Sequence, residues 1–229
     1  MSATTMGRAP SSVRPTARVL IVGAGIAGLT LALRLHRLGW TPIVLELASS
    51  LRGEGYMIDF FGPGYDVAER MGLIERLRAI HRPIPRFVFV DADGHERFAL
   101  QYPSLCRRLF RGRHFNFLRG DLESALFDAL EGAVAIRFGT SVVSLVQDDA
   151  TVWAVLSDGT RERVDLVVGA DGLHSRVRSL VLGEERWFRL SLGHVVGAWI
   201  LDKLPNMVSS DAFWTLTAPG RMVAVYPID

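Results

Sequence analysis

The stretch Arg18-Val19-Leu20-Ile21-Val22-Gly23-Ala24-Gly25-Ile26-Ala27-Gly28 runs on through Leu29 to Gly39 and then through Pro42-Ile43-Val44-Leu45-Glu46, and its reading decides the fold. Four consecutive apolar residues, three of them β-branched, read as a strand buried on both faces. The glycines open a helix whose pattern ends at Gly39, and a second apolar run carries the chain to Glu46. Strand, glycine turn, helix and strand make a βαβ unit. The chain is therefore expected to be α/β, with a Rossmann-like parallel sheet.

The spacing Gly23-x-Gly25-x-x-Gly28 has a physical reason at each glycine. The first permits a tight turn, the second close backbone approach to a pyrophosphate, and the third close packing of helix on strand. The helix start adds unpaired N–H groups and a partial positive charge, which suit phosphates. Glu46, at the end of the second strand, suits the ribose hydroxyls of an adenosine and repels a 2′-phosphate. This site is therefore expected to take FAD or NAD, with NADP disfavoured.

Outward from this unit, a glycine-rich connection (Arg52-Gly53-Glu54-Gly55) leads to a helical pattern over Tyr65 to Arg78. Arg86 to Val90 and Glu96 to Leu100 flank Asp91-Ala92-Asp93-Gly94, a hairpin signal. A helix is expected over Arg119 to Glu131, then strands over Ala133–Arg137, Ser141–Gln147, Thr151–Leu156 and Arg161–Val168, and a helix from Ser175. Strands are also expected over His194–Leu201, Ala212–Leu216 and Arg221–Tyr226. The expected division is a disordered tail at 1–16, a cofactor-binding domain at 17–80 and 113–185, and a partial, mainly antiparallel substrate domain at 81–112 and 186–229.

Composition excludes several function classes. The chain has 229 residues, 49% of them hydrophobic, enough to build a core and too many for a disordered protein. Its 26 basic and 24 acidic side chains leave a charge of +2, so no global field points to nucleic acid. The single cysteine, Cys106, excludes an internal disulfide framework and a cysteine-rich metal site; a reducing, cytoplasmic setting is expected. The longest uncharged stretch, Val19 to Leu33, is too short for a membrane span and holds three glycines. Residues 1–16 lack the apolar core of a secretory signal, with an organelle transit peptide as the alternative to a simple tail.

The choice between the two nucleotides rests on Asp165-Leu166-Val167-Val168-Gly169-Ala170-Asp171-Gly172-Leu173-His174-Ser175-Arg176-Val177-Arg178. It reads as a buried strand, a glycine turn with an acid at the strand's carboxyl end, and a helix capped by Ser175. This segment resembles the second fingerprint of the para-hydroxybenzoate hydroxylase-like FAD monooxygenases, the flavoprotein aromatic hydroxylases. In that family the Asp-Gly pair lies near both FAD and the pyridine nucleotide. Leu51-Arg52-Gly53-Glu54-Gly55-Tyr56 is similar to the arginine and glycine segment that passes over the flavin. Phe117-Leu118-Arg119-Gly120-Asp121-Leu122 is similar to the segment whose arginine reaches the cofactor.

The resemblance covers about residues 18–182. It implies FAD as cofactor, NAD(P)H as co-substrate, oxygen as oxidant, and hydroxylation of an aromatic or other planar small molecule. The expected cofactor residues are Gly23, Gly25, Ile26, Ala27 and Gly28 of the first turn, then Glu46 and Leu47, then Arg52 and Arg119, then Asp171 and Gly172. Because the flavin carries the redox chemistry, no catalytic acid, base, nucleophile or metal ligand is expected. The family's third, Gly-Asp-containing fingerprint has no counterpart before Asp229, so the sequence reads as the N-terminal portion of such an enzyme. Alternatives are a catalytically silent nucleotide-binding fragment, a flavin halogenase or an isoprenoid reductase. Arg107, Arg108, Arg111 and Arg113 read as a solvated basic loop, and His174 as either a nucleotide contact or a surface residue. Trp187, Phe188, Trp199, Phe213, Trp214 and Tyr226 read as sheet core, with a substrate pocket as the alternative.

Overall fold

A computed structural model describes residues 16–51, 53, 55–206 and 208–228. The expected tail at 1–16 lies, apart from Thr16, outside the described residues, as does Arg52. In chain order the elements are β1 (Arg18–Val22), α1 (Ile26–Arg37), β2 (Thr41–Leu45), β3 (Met57–Phe61), α2 (Pro63–Arg70), α3 (Ile74–Ala79), β4 (Arg86–Val90) and β5 (Glu96–Gln101). These are followed by α4 (Tyr102–Phe110), β6 (His114–Leu118), α5 (Arg119–Asp128), β7 (Ala135–Arg137), β8 (Val142–Gln147), β9 (Val152–Leu156) and β10 (Arg161–Val164). The last are β11 (Leu166–Gly169), α6 (Arg176–Leu182), β12 (Ala212–Ala218) and β13 (Arg221–Val225).

The central sheet has the order β11-β1-β2-β7 and is parallel throughout. Side chains alternate across a strand, so β1 feeds two cores. Val19 and Ile21 join Val44 and the buried faces of α1, α2, α3 and α5 on one side. Leu20 and Val22 join Ile43, Leu45, Val142, Ala154, Leu156 and Val164 on the other. The second face is thus covered mainly by the antiparallel meander β10-β9-β8, with Val177 and Leu180 of α6 packed at its side. This burial on both faces is what the unbroken apolar run of β1 encodes.

A second, mixed sheet, β13-β12-β4-β5, contains the expected hairpin β4–β5 and the pair β12–β13, both antiparallel. Its middle pair, β12 with β4, is parallel. A ribbon of β3 and β6, absent from the sequence reading, links the two sheets. In it Asp59 Oδ1 accepts from Tyr102 Oη at 2.6 Å, His114 Nε2 at 3.1 Å and Asn116 Nδ2, which clamps α4 to the ribbon. Met57 N donates to Tyr226 Oη at 2.7 Å, and the Tyr226 ring stacks on Phe213 at 4.9 Å, tying the end of the second sheet back to β3.

Several expectations are corrected. The helix expected over 65–78 is two helices, because Gly72 at φ +66° ends α2. Gly72 N reaches Glu69 O and Leu73 N reaches Ala68 O, the bond pair of a Schellman stop. The strand expected over 161–168 is split at Asp165, where the chain crosses from meander to central sheet; Arg18 N donates to Asp165 Oδ2 at 2.7 Å. His194–Leu201 forms no strand: no described neighbour pairs with it, and Val195 is 98% and Trp199 77% exposed. Trp187 is likewise exposed, so the core reading fails for it.

The basic stretch expected as a loop is mostly helix α4. Arg113 beyond it is no idle surface cation: it bonds Asp66 at 2.7 Å and Glu69 at 3.0 Å and lies over the Tyr65 ring. No helix among the described residues is long and apolar enough to cross a membrane.

Candidate functional site

The carboxyl ends of β1, β2 and β11 open into a cavity of about 350 Å³. The chain leaves β1 for β2 on one side and returns to β11 on the other, and such a reversal of direction leaves a crevice at the strand ends. Backbone bonds extend the sheet into its floor, with Gly23 N to Leu45 O and Ala170 N to Val22 O both at 2.7 Å.

The glycine turn behaves as its spacing requires. A Cβ on Gly23 would stand 2.4 Å from Ala170 O, and one on Gly28 would stand 1.9 Å from Gly23 O. Backbone at those two positions leaves no room for a side chain. Gly25 differs: a Cβ there would find only Glu123 Oε1 at 3.6 Å and Arg119 Nη2 at 3.7 Å, ordinary contacts at the cavity edge. Gly25 is also the N-cap of α1, with no side-chain cap and no acid in the first turn. The N–H groups of Ile26, Ala27 and Gly28 therefore have no intrahelical partner, and the first turn of the helix carries no acid of its own to meet the positive end of its dipole. Ile26, Ala27 and Gly28, expected as cofactor residues, are not among the residues that line the cavity.

Glu46 sits across the turn. Its Oε2 accepts from Ala24 N at 2.8 Å and its Oε1 from Ala48 N at 2.9 Å. Each oxygen is held by one amide, and a carboxylate oxygen has a second lone pair with which to accept from a hydroxyl. Leu47, next in the chain, lines the same cavity and is largely exposed.

On the β11 side, Asp171 and Gly172 close the cavity, with Gly172 at φ +78°, a conformation that favours glycine. Asp171 is already occupied. Its Oδ2 accepts from Arg176 N at 2.6 Å and Val177 N at 3.1 Å, and its Oδ1 from Ser175 Oγ. Ser175 Oγ in turn accepts from Arg178 N at 3.0 Å, the expected cap of α6. Asp171 is therefore part of the scaffold as well as of the site, because two free amides of α6 depend on it. His174 lines the cavity mouth and bonds Glu185 at 3.0 Å through Nδ1.

Arg119 enters from the first position of α5, bonded through its backbone to Tyr56 O, and reaches the Gly25 turn. Gly55 gives it room, since a Cβ there would meet Arg119 Cβ at 2.9 Å. The cavity thus gathers Gly23, Gly25, Glu46, Leu47, Arg119, Asp171 and Gly172 from four separate segments. The sequence reading missed Glu123, Ser50, Ser141 and Arg176, which also line it. For Glu123 a signal existed: it lies one helical turn after Arg119, on the same face. Asp91, Asp93 and His95 cluster at the β4–β5 hairpin tip, where Asp91 Oδ1 accepts from the amides of Asp93 and His95.

The cavity fits an adenosine pyrophosphate on three counts: an open cradle at Gly25, uncapped amides behind it, and a carboxylate with spare acceptors at Glu46. The family model described as the FAD binding domain matches residues 16–229. The chain belongs to the FAD binding domain family. This FAD binding domain is 34% identical over 210 residues to an uncharacterized protein of Mycobacterium tuberculosis, covering 91% of the chain and 55% of the relative. It is 30% identical over 187 residues to a flavin-dependent monooxygenase of Legionella longbeachae, covering 77% of the chain and 44% of that protein. Among solved structures, the tetracycline destructase Tet(55) matches with a TM-score of 0.71 and 25% identity, over 91% of the chain and 52% of that structure. The chain spans about half the length of the curated relatives it matches.

Proposed function

We propose that the chain is the cofactor-binding part of a flavin-dependent monooxygenase that consumes NAD(P)H and O2 to hydroxylate an aromatic or other planar small molecule. The observation that carries the reading is the joining of the Gly25 cradle, Glu46 and the Asp171-Gly172 turn around one cavity, in a chain whose relatives include a flavin-dependent monooxygenase. When bound, FAD supplies the redox chemistry, accepting hydride from the pyridine nucleotide and passing electrons to oxygen.

The protein's part is binding and orientation. Gly23, Gly25 and the first-turn amides of Ile26, Ala27 and Gly28 take the pyrophosphate; Glu46 and Leu47 take the adenosine ribose. Arg119, with Arg52, supplies positive charge, and Asp171 and Gly172 hold the flavin side. Residues 17–80 and 113–185 form the cofactor unit, and 81–112 with 186–229 form part of a substrate unit. The separate sheet built by β4, β5, β12 and β13 supports that division. A cytoplasmic setting accords with the demand for pyridine nucleotide.

Titration of the purified chain with FAD, NAD and NADP, followed by NAD(P)H and oxygen consumption in the presence of phenolic compounds, tests the reading. Tight binding of NAD with no affinity for FAD would overturn it.

A further inference from the structure

Arg119 occupies the first position of α5, where its charge opposes the positive end of that helix's own dipole. One turn on, Glu123 places a carboxylate in the same helix, 5% exposed and turned toward the amino end of α1. The two form an ion pair at 2.8 Å, with the Glu123 side chain 6% and the Arg119 side chain 39% exposed. Both lie within 3.7 Å of the point where a Gly25 Cβ would stand. A buried acid at a phosphate cradle works against an anionic ligand unless it serves a cation there. The other two acids of the cavity have different work: Glu46 holds backbone amides and Asp171 caps α6.

We infer that Glu123 is a positioning residue, which fixes the Arg119 guanidinium over the Gly25 turn so that its remaining N–H groups meet the cofactor's pyrophosphate. A free arginine loses much rotamer freedom on binding; one already locked by a carboxylate has lost it beforehand. The carboxylate takes one edge of the guanidinium fork and leaves the others for phosphate oxygens. Glu123 touches no cofactor atom in this scheme and acts through Arg119.

The inference rests on the cofactor reading above, and the experiment separates the two. Affinities of FAD, ADP and adenosine are measured calorimetrically for the full chain and for Glu123→Ala, Glu123→Gln, Arg119→Ala and the double Ala variant. Glu123→Ala is expected to weaken ADP and FAD about tenfold, the size of one misplaced charge-assisted hydrogen bond. Adenosine, which lacks phosphate, should change less than about twofold, and Glu123→Gln, which keeps an acceptor, should lose about threefold. In the Arg119→Ala background, Glu123→Ala should cause no further loss and should restore part of the ADP affinity, because the carboxylate then faces the phosphates without its cation. Unchanged ADP affinity, an equal loss for adenosine, or additive losses would overturn the positioning role while leaving the FAD site intact. A wild-type chain that binds neither ADP nor FAD would overturn the cofactor reading itself. Should Glu123→Ala fail to fold, the Glu123→Gln loss for ADP against adenosine decides by itself.

Discussion

Replacing Gly25 and Gly28 by alanine, one at a time, should separate binding from folding within four residues of chain. At Gly28 the new methyl would stand 1.9 Å from Gly23 O, short of the 3.4 Å of ordinary contact by about 1.5 Å, and the obstacle is backbone. Helix α1 must lift from β1. Overpacking of this kind costs about 3 kcal/mol, offset by about 1 kcal/mol of helix propensity, for a net of about 2 kcal/mol. In a chain of this size that lowers Tm by roughly 4–8 °C. At Gly25, φ −75° and ψ −178° suit alanine, and the nearest atoms lie at 3.6 and 3.7 Å. The loss of a favoured N-cap glycine and the gain from a stiffer unfolded chain nearly cancel, so Tm should move by less than about 2 °C. The same methyl, however, fills the cradle. At least one charge-assisted phosphate contact is lost, weakening FAD by about thirtyfold or more. Thermal denaturation and fluorescence titration of flavin read the two effects separately. A Gly25→Ala protein as destabilised as Gly28→Ala, or one that binds FAD like wild type, would refute the division of labour between these glycines.

Asp171→Ala should cost about 1–2 kcal/mol in urea denaturation, because it frees the amides of Arg176 and Val177 at the start of α6; a purely cofactor-facing Asp171 would leave stability unchanged. Acid should destabilise the fold in stages. Burial lowers the pKa of His81 below its usual 6.5, so the stability owed to its neutral form is present above pH 6.5 and declines as pH falls below it; Tm that stays flat from pH 7 to 5 would contradict this. Asp59 is held below 3.8, first by the hydrogen bond from His114, so its contribution is present above that value and lost only as pH falls further. Replacing Asp59 by Asn should flatten the Tm profile below pH 4. Glu162 is partly buried, which alone would raise its pKa, yet Arg137 and Arg18 outweigh that desolvation and lower it; Glu162→Gln should lower Tm at pH 7 and have less effect at pH 3.

What the sequence made legible is what local chemistry determines. The βαβ unit could be read because a strand buried on both faces, a three-glycine turn and an amphipathic helix each leave a pattern within about ten residues. Glu46 and Asp171 could be placed because both end strands of the same parallel sheet. The ribbon β3–β6 escaped notice because Met57–Phe61 and His114–Leu118 are more than fifty residues apart and only their pairing makes them strands. The strand expected over His194–Leu201 had the right composition and no ladder to join among the described residues, and composition carries no information about a partner. Arg113 read as a solvated cation because Asp66 and Glu69 reach it from a helix elsewhere in sequence. Glu123 was overlooked for a simpler reason: its spacing of four from Arg119 is a common one in helices, and its burial beside Gly25 is what gives that spacing weight.

The three cavity carboxylates show how a site for an anionic cofactor tolerates negative charge. Each is neutralised before any ligand arrives: Glu46 by two amides, Asp171 by the α6 amino end and Ser175, Glu123 by Arg119. These bonds also fix geometry, so binding need not organise the side chains it meets, and the entropy of ordering them has been lost during folding. Their neutralisation is unequal in direction. On the proposed reading Glu46 keeps acceptors for ribose hydroxyls, whereas Glu123 sets its Oε1 against a guanidinium whose remaining groups are donors. Acceptors at one end of the cavity and donors at the other would then match the ribose and pyrophosphate of a nucleotide. A 2′-phosphate set against Glu46 would meet a carboxylate already held by two amides, so weak binding of NADP at this site is expected to persist when Arg119 is removed and to strengthen when Glu46 is replaced by glutamine.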